Sequence, residues 1–330
     1  MRNNKKKKKW ISNILLVLKL GITGLSLFYI INKVYSDEQL NPVINSFSIF
    51  INFDWHIHLL IIIVFSMFLN WIIEAYKWKF LISKLEDISI GKSIKSVLIG
   101  LSIGIITPSR IGEFGGKIFS LEKADRKSAF LISILGSFSQ LSATLFFGIC
   151  GLIYYFINYI IIDNSLMLLL VSMLVILFVV LLWLFTNVSF FAKSIIKKKL
   201  FNKYSKYFAV LYKYKSKELI KVFLLSCFRF LIFTSQFYGL LYLFGVYINY
   251  FDAFMLISLS YLVLTLVPTI ALADIGVRGT VSLFFLGLLS TNSSGILSAS
   301  FLLWFINLAL PAITGAFFVY QLKLIKEKRS

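Results

Sequence analysis

The 330-residue chain is 59% hydrophobic and 15% charged, with a mean hydropathy of +0.87. That excludes an ordinary soluble domain, which is about half apolar and a quarter charged. The formal charge of +20 lies in lysines between apolar runs, which is the positive-inside pattern of cytoplasmic loops and not the patch of a nucleic-acid binder.

The N-terminal MRNNKKKKKW has no small-residue cleavage site after its apolar run, so it is predicted to remain as a signal anchor. A spanning helix needs about 20 mostly apolar residues, and six segments qualify: 10–32, 56–82, 128–158, 166–187, 221–246 and 296–322. Lys19 and Arg229 lie inside the first and fifth of these. Both are expected to snorkel, although Arg229 could reach Glu113 or Asp274. Asp54, His56 and His58 form D-x-H-x-H without a third ligand cluster and read as an interfacial turn, so no metal site is expected. Cys150 and Cys227 read as packing residues, and Gln140 and Gln236 as interhelical hydrogen-bonding groups.

Two shorter apolar runs, about 93–107 and 251–267, end at Pro108 and Pro268. Lys-rich KIFSLEKADRK follows the first, so that run should enter from the cytoplasm and return. Only Arg229, Asp252, Asp274 and Arg278 are charged between Lys221 and Lys323, so the second run should enter and leave on the outside. The predicted fold is therefore an all-α polytopic membrane protein, a single membrane domain over 1–330. It has about six full spans plus two Pro/Gly-broken re-entrant hairpins, the first half (10–158) being repeated with inverted orientation in the second (166–322). Residues 188–220, with Ile196, Leu200, Tyr204, Tyr207, Leu211 and Tyr214 at helical spacing among lysines, are predicted to lie as a cytoplasmic amphipathic helix on anionic inner-leaflet lipids. Both termini are expected in the cytoplasm of a multi-pass protein of the cytoplasmic (inner) membrane.

The chemistry is concentrated in the two breaks. TPSRIGEFGGK (107–117) carries Arg110, Glu113 and Lys117; ALADIGVRG (271–279) carries Asp274 and Arg278. A charge at a helix centre costs about 2.5 to 3.5 kcal/mol on insertion scales, and non-helical backbone at that depth must be buried or line a wet cavity. Pro108, Gly112, Gly115, Gly116, Pro268, Gly276 and Gly279 are expected as helix-break or hinge positions, with helix N-termini near Pro108 and Gly276 facing the cavity. Arg110, Lys117 and Arg278 are the candidate binders of an anionic group such as phosphate. Glu113 and Asp274 either balance those charges or titrate in a proton-coupled cycle. The plainer reading of the first motif is an interfacial turn with snorkelling basic residues.

These motifs resemble those of the lysylphosphatidylglycerol synthase transmembrane-region family, also called flippase-like integral membrane proteins. Its first motif, Pro then Gly-Glu then a basic residue, is matched by Pro108, Gly112, Glu113 and Lys117. Its second, Pro then Gly-x-Arg, is matched by Pro268, Gly276 and Arg278. Ala273 and Asp274 stand where the family often has a glycine pair, and Gly279 where it often has an acidic residue. The resemblance covers nearly the whole chain and, with the chain ending at Ser330, implies the lipid-moving part without the lysyl-transfer chemistry.

The leading expectation is a flippase or transporter of a membrane phospholipid or lipid-linked anionic substrate. No catalytic residue and no cofactor are expected, because no Ser/His, Cys/His or metal arrangement accompanies the carboxylates. The alternatives are a membrane-embedded lipid-modifying enzyme, with Glu113 or Asp274 as base, and a scaffold or regulator of envelope-lipid synthesis.

Overall fold

The computed structural model describes Phe28 and residues 56–107, 110–161, 163–196, 205–267 and 271–327. The first predicted span apart from Phe28, the Lys5 to Lys9 run, Asp54, Pro108 and Pro268 lie outside these residues. Among the described residues every element is helical. In chain order they are α1 (His56–Ile82), α2 (Ile90–Ile105), α3 (Gly112–Ile118), α4 (Arg126–Tyr159), α5 (Asn164–Thr186), α6 (Val188–Ile196) and α7 (Ser205–Phe208), which runs into a 3-10 turn, Ala209–Lys213. There follow α8 (Ser216–Leu243), α9 (Tyr250–Leu266), α10 (Ala271–Leu286), α11 (Ser293–Trp304), a π-helical turn at Phe305–Ala309 and α12 (Leu310–Glu327).

Among the described residues, four helices are long and apolar enough to cross a membrane: Ile57–Ile82, Arg126–Tyr159, Ser165–Thr186 and Ser293–Tyr320. The fifth expected span, 221–246, falls on the 28-residue α8, which is not one of these four. At ~1.5 Å per residue, α2 and α9 reach about 24 to 26 Å, short of the ~30 Å hydrocarbon core.

The helix starts follow from side-chain caps worth about 1 kcal/mol each. Ser89 accepts from Lys92 N, Asp125 from Ser128 N, Asp163 from Leu166 N, Asn249 from Phe251 N and Asn292 from Gly295 N. The end of α8 is a Schellman turn: Gly245 takes φ +72°, and the Val246 amide donates back to Leu241 O at 2.9 Å. Only glycine adopts that backbone without strain.

Helices α1 and α8 run antiparallel, with Ile63 beside Gly239, Lys77 bonded to Ser226, and Lys84 paired with Glu218. Two apolar cores form at their two ends. One gathers Ile63, Leu240, Leu256, Leu286 and Ile296; the other gathers Leu81, Ile82, Val97, Ile132 and Leu219. The long arm of each broken pair packs on a glycine-bearing helix from the other half of the chain: α9 lies on Gly148 and Gly151 of α4, and α2 lies on Gly315 of α12. A Cβ on Gly148 would sit 2.6 Å from Leu262 Cβ, and one on Gly315 would meet the Leu98 carbonyl. Small residues let backbones approach where no hydrophobic drive exists between helices in lipid.

The 188–220 region departs from a single surface helix. Leu211 and Tyr214 are buried in the second core, and the Tyr214 hydroxyl donates to Leu81 O. Their apolar side chains gain more from a protein groove beside α1 than from the interface, so this stretch packs inward. Its residues 197–204 lie outside the described ones.

Glu86 pins the loop after α1 to the loop before α4. It accepts from the backbone amides of Lys123 at 2.8 Å and Ala124 at 2.9 Å and from Lys92 Nζ at 3.1 Å. Burial would raise this carboxyl, but the two amides and the Lys92 ammonium outweigh it and hold the pKa below the usual value. Such a group stabilises the fold fully above the unfolded pKa of about 4.3, and the contribution is lost as pH falls through the folded value. Melting of the purified protein between pH 6 and pH 3 should show that decline, and Glu86→Gln should be less stable at pH 6 and should flatten the profile.

Candidate functional site

Where the two cores meet, midway along α1 and α8, lies a cavity of about 390 Å³. Helix α1 contributes Asn70, Trp71, Glu74 and Lys77 to its wall, one stripe at helical spacing. The first broken pair supplies Arg110 and Glu113, the second Tyr261 and Arg278. Arg229 comes from α8, and Trp304 and Asn307 from the last long helix.

The first break is built locally. Thr107 Oγ1 accepts from Gly112 N at 2.8 Å and donates back to Ile103 O at 3.1 Å, tying the start of α3 to the end of α2. Gly100 and Gly104 of α2 then face Gly116 and Glu113 of α3. A Cβ on Gly116 would stand 2.6 Å from Gly100 Cα, and one on Gly104 would stand 3.2 Å from Glu113 Cβ. Gly115, one residue away, has nothing within 4 Å of a Cβ. This contact sets Glu113 at the cavity wall and Lys117 behind it.

A charge network follows. Glu74 is 7% exposed and accepts from three cations: Lys77 at 2.8 Å, Lys117 at 2.9 Å and Arg229 at 2.9 Å. Lys117 also reaches Glu113 at 3.1 Å, and Glu113 meets Arg110 at 3.2 Å. Arg229 further donates to Gln140 Oε1 at 3.3 Å, and Lys77 to Ser226 Oγ at 3.2 Å. Opposite, Arg278 Nε donates to Asp274 at 2.8 Å, one turn along α10. Buried ions cost several kcal/mol each, and apolar residues of similar volume would often stabilise more. The network is therefore weak evidence of a stabilising role.

Arg110 stands out twice. Its φ of 57° makes it the one non-glycine residue with positive φ among the described residues, a conformation that costs on the order of 1 to 3 kcal/mol. Its Nε is buried without a hydrogen-bond partner. The chain holds this guanidinium at the cavity against a local preference.

The five predicted charged residues thus fall into two groups. Arg110, Glu113 and Arg278 line the cavity, while Lys117, only 3% exposed on its side chain, and Asp274 stand behind the wall holding Glu113, Glu74 and Arg278. The hinge assignment of several glycines needs correction. Gly276 and Gly279 lie inside the continuous α10, and Gly115 and Gly116 inside α3. Tertiary packing keeps glycine-containing segments helical where an isolated peptide would not. The breaks fall instead between α2 and α3 and between α9 and α10. Arg229 is also corrected: it does not snorkel, because Glu74 and Gln140 give it partners at depth. Sequence reasoning missed Glu74, Lys77, Asn70 and both tryptophans. A signal for the close helix pair was present, as Gly100 and Gly104, then Gly112 and Gly116, are two G-x-x-x-G spacings.

Among the described residues no group of three His, Cys, Asp or Glu side chains could hold a metal ion. The family model for the lysylphosphatidylglycerol synthase TM region matches residues 16–315. The chain belongs to that family. No curated protein and no solved structure matches it at significance. The family's motif positions in this chain do two kinds of work: Glu113, Lys117 and Arg278 enter ion pairs, while Gly112 leaves room for the Ile103 carbonyl, 2.6 Å from where its Cβ would be.

Proposed function

We propose that the chain carries a lipid with an anionic headgroup across the cytoplasmic membrane, as a transporter and not as an enzyme. The carrying observation is the charge of the cavity. Lys77, Arg110, Arg229 and Arg278 line it against Glu74 and Glu113, an excess of two positive charges that Lys117 and Asp274 together leave unchanged. A phosphate-bearing headgroup supplies the missing negative charge, and the acyl chains stay in lipid. In the empty cavity the two carboxylates hold the cations in place. The headgroup competes with Glu113 for Arg110, with Glu74 for Arg229 and with Asp274 for Arg278.

The two broken pairs are the elements that open the cavity in turn, α2 with α3 from the cytoplasmic side and α9 with α10 from the outer side, in an inverted repeat with both termini cytoplasmic. Supporting this is the exchange of contacts between halves: α2 on α12 answers α9 on α4, while α1 and α8 pair with each other. Glu74 and Glu113 are each held by at least two cations, which suits charge balance better than general-base chemistry. An inside-negative potential would favour outward movement of a net anion by about 2.3 kcal/mol per charge per 100 mV.

Leaflet-resolved labelling of an anionic phospholipid in proteoliposomes tests the reading. Wild-type protein should exchange the lipid faster than empty liposomes do. Arg278→Gln should lower that rate by roughly tenfold or more, since a hydrogen bond to a charged group is worth about 1.5 to 3 kcal/mol. Equal rates in wild type, variant and empty liposomes would sink it.

A further inference from the structure

The elements of the two halves match one by one. Helices α1 and α8 have 27 and 28 residues, and α2 and α9 have 16 and 17. Ser89 and Asn249 cap the long arms of the two broken pairs, and Asp125 and Asn292 cap the helices that follow those pairs. Each half also stitches the end of its first long helix to the turn that leaves its broken pair. Glu86 accepts from the Lys123 and Ala124 amides, and Asn292 donates to Phe244 O at 3.1 Å and Gly245 O at 3.3 Å. The match extends to the charges. The pattern acid-x-Gly-x-base occurs twice, as Glu113, Gly115, Lys117 and as Asp274, Gly276, Arg278. Acid and base pair one helical turn apart in both, at 3.1 Å and 2.8 Å.

The halves differ in what holds the base. Lys117 reaches beyond its own helix to Glu74 at 2.9 Å, and Glu74 also takes Arg229 at 2.9 Å, so one carboxylate ties α3 to both α1 and α8. The second half has no acid for a corresponding tie. With the helix ends aligned, Ser235 stands in α8 where Glu74 stands in α1, and its hydroxyl shares a hydrogen bond with Tyr250. Helix α8 carries no acidic residue after Glu218. The Lys117 side chain is accordingly 3% exposed and that of Arg278 23%. Moving α3 away from α1 and α8 breaks a buried ion pair, which is strongly unfavourable when it leaves a charge uncompensated. The pair between Asp274 and Arg278 lies within α10 and travels with that helix.

We propose that Glu74 is a latch that holds the first broken pair shut, so that the empty protein rests with its cavity reached from the outer side, past the second pair. The inference rests on the alternating opening proposed above; it adds which side is closed at rest and which residue closes it. Separation of Lys117 from Glu74 is then the step that admits the cytoplasmic side.

Accessibility of a single thiol tests this in the full chain, reconstituted in phosphatidylcholine liposomes. Cys150→Ala and Cys227→Ala remove the native thiols, and Ser137→Cys places a reporter on the cavity wall from α4, outside both broken pairs. A membrane-impermeant maleimide is supplied to one face at a time, and labelling after unfolding confirms that the thiol is reactive. The outer face should label this parent protein about tenfold faster than the inner face, or more. Lys117→Gln, which leaves Glu74 to Lys77 and Arg229, should raise inner-face labelling by about tenfold or more, the worth of one charge-assisted hydrogen bond. Glu74→Gln should do the same. Equal labelling from both faces of the parent would overturn the latch, and this comparison needs no latch variant to fold. Inner-face labelling unchanged in both folded variants would overturn its assignment to Glu74 and Lys117. A reversed preference that Lys117→Gln abolishes would keep the latch and overturn the assignment of sides. No labelling from either face before unfolding, in parent and variants alike, would overturn the access reading and the latch with it. The expected labelling in a protein that exchanges no anionic lipid would sink the transport reading and leave the latch standing.

Discussion

Replacing Glu74 with leucine is expected to remove about 3 to 5 kcal/mol of stability, the cost of leaving buried cations without their partner. Three of them lose it together: Lys77, Lys117 and Arg229 all reach this one carboxylate within 2.9 Å. Lys117 keeps Glu113, and Arg229 keeps Gln140, but Lys77 keeps only the Ser226 hydroxyl. The loss should be visible as a large drop in melting temperature of the purified protein, with lipid exchange abolished. Combining Glu74→Leu with Lys77→Met should recover part of the stability and none of the exchange, because the least compensated charge is gone while the cation geometry remains lost. Additive losses in that pair would show that the two side chains do not depend on each other.

The second large effect separates two adjacent glycines. A side chain at Gly116 would press on the Gly100 Cα at 2.6 Å and the Ile99 carbonyl at 2.9 Å, both backbone atoms that cannot turn aside. Gly116→Val should cost about 1 to 3 kcal/mol or more from overpacking, and it should push α3 away from α2 and so draw Lys117 off Glu74. Gly115→Ala meets nothing within 4 Å and replaces a poor helix former by the best one, so it should be neutral or stabilise by up to about 1 kcal/mol. Melting temperatures and lipid exchange of the two variants, compared side by side, check this. A Gly116→Val protein as stable and active as Gly115→Ala would refute the close contact.

Apolar length is what made the long helices legible. The run at 128–158 became Arg126–Tyr159, and that at 166–187 became Asn164–Thr186, because burial in lipid depends on many residues at once and tolerates error at each end. The charged hairpin motifs were legible for a related reason: charges at the end of apolar runs are expensive and therefore conspicuous. Glu74 was not. It lies eight residues before the end of α1, close to a Lys-rich stretch, and sequence alone does not tell a charge facing a cavity from one near the headgroups. Only the crossing of α1 with α8 puts Arg229 against it. Trp71 and Trp304 were hidden for the opposite reason, since the hydrophobic count includes them and says nothing of an indole N–H without a partner.

Helix α5 follows α4 in the chain, yet only 6% of its apolar window is buried within the protein. At ~1.5 Å per residue its 23 residues are about 34 Å long, slightly more than an average hydrocarbon core of ~30 Å. A bilayer that thins or thickens therefore acts first on a helix with few protein contacts to disturb, which can absorb the mismatch by tilting. Helix α5 contributes no residue to the cavity wall, so a strain it takes up reaches the cavity only through α4 and α8, on which it packs.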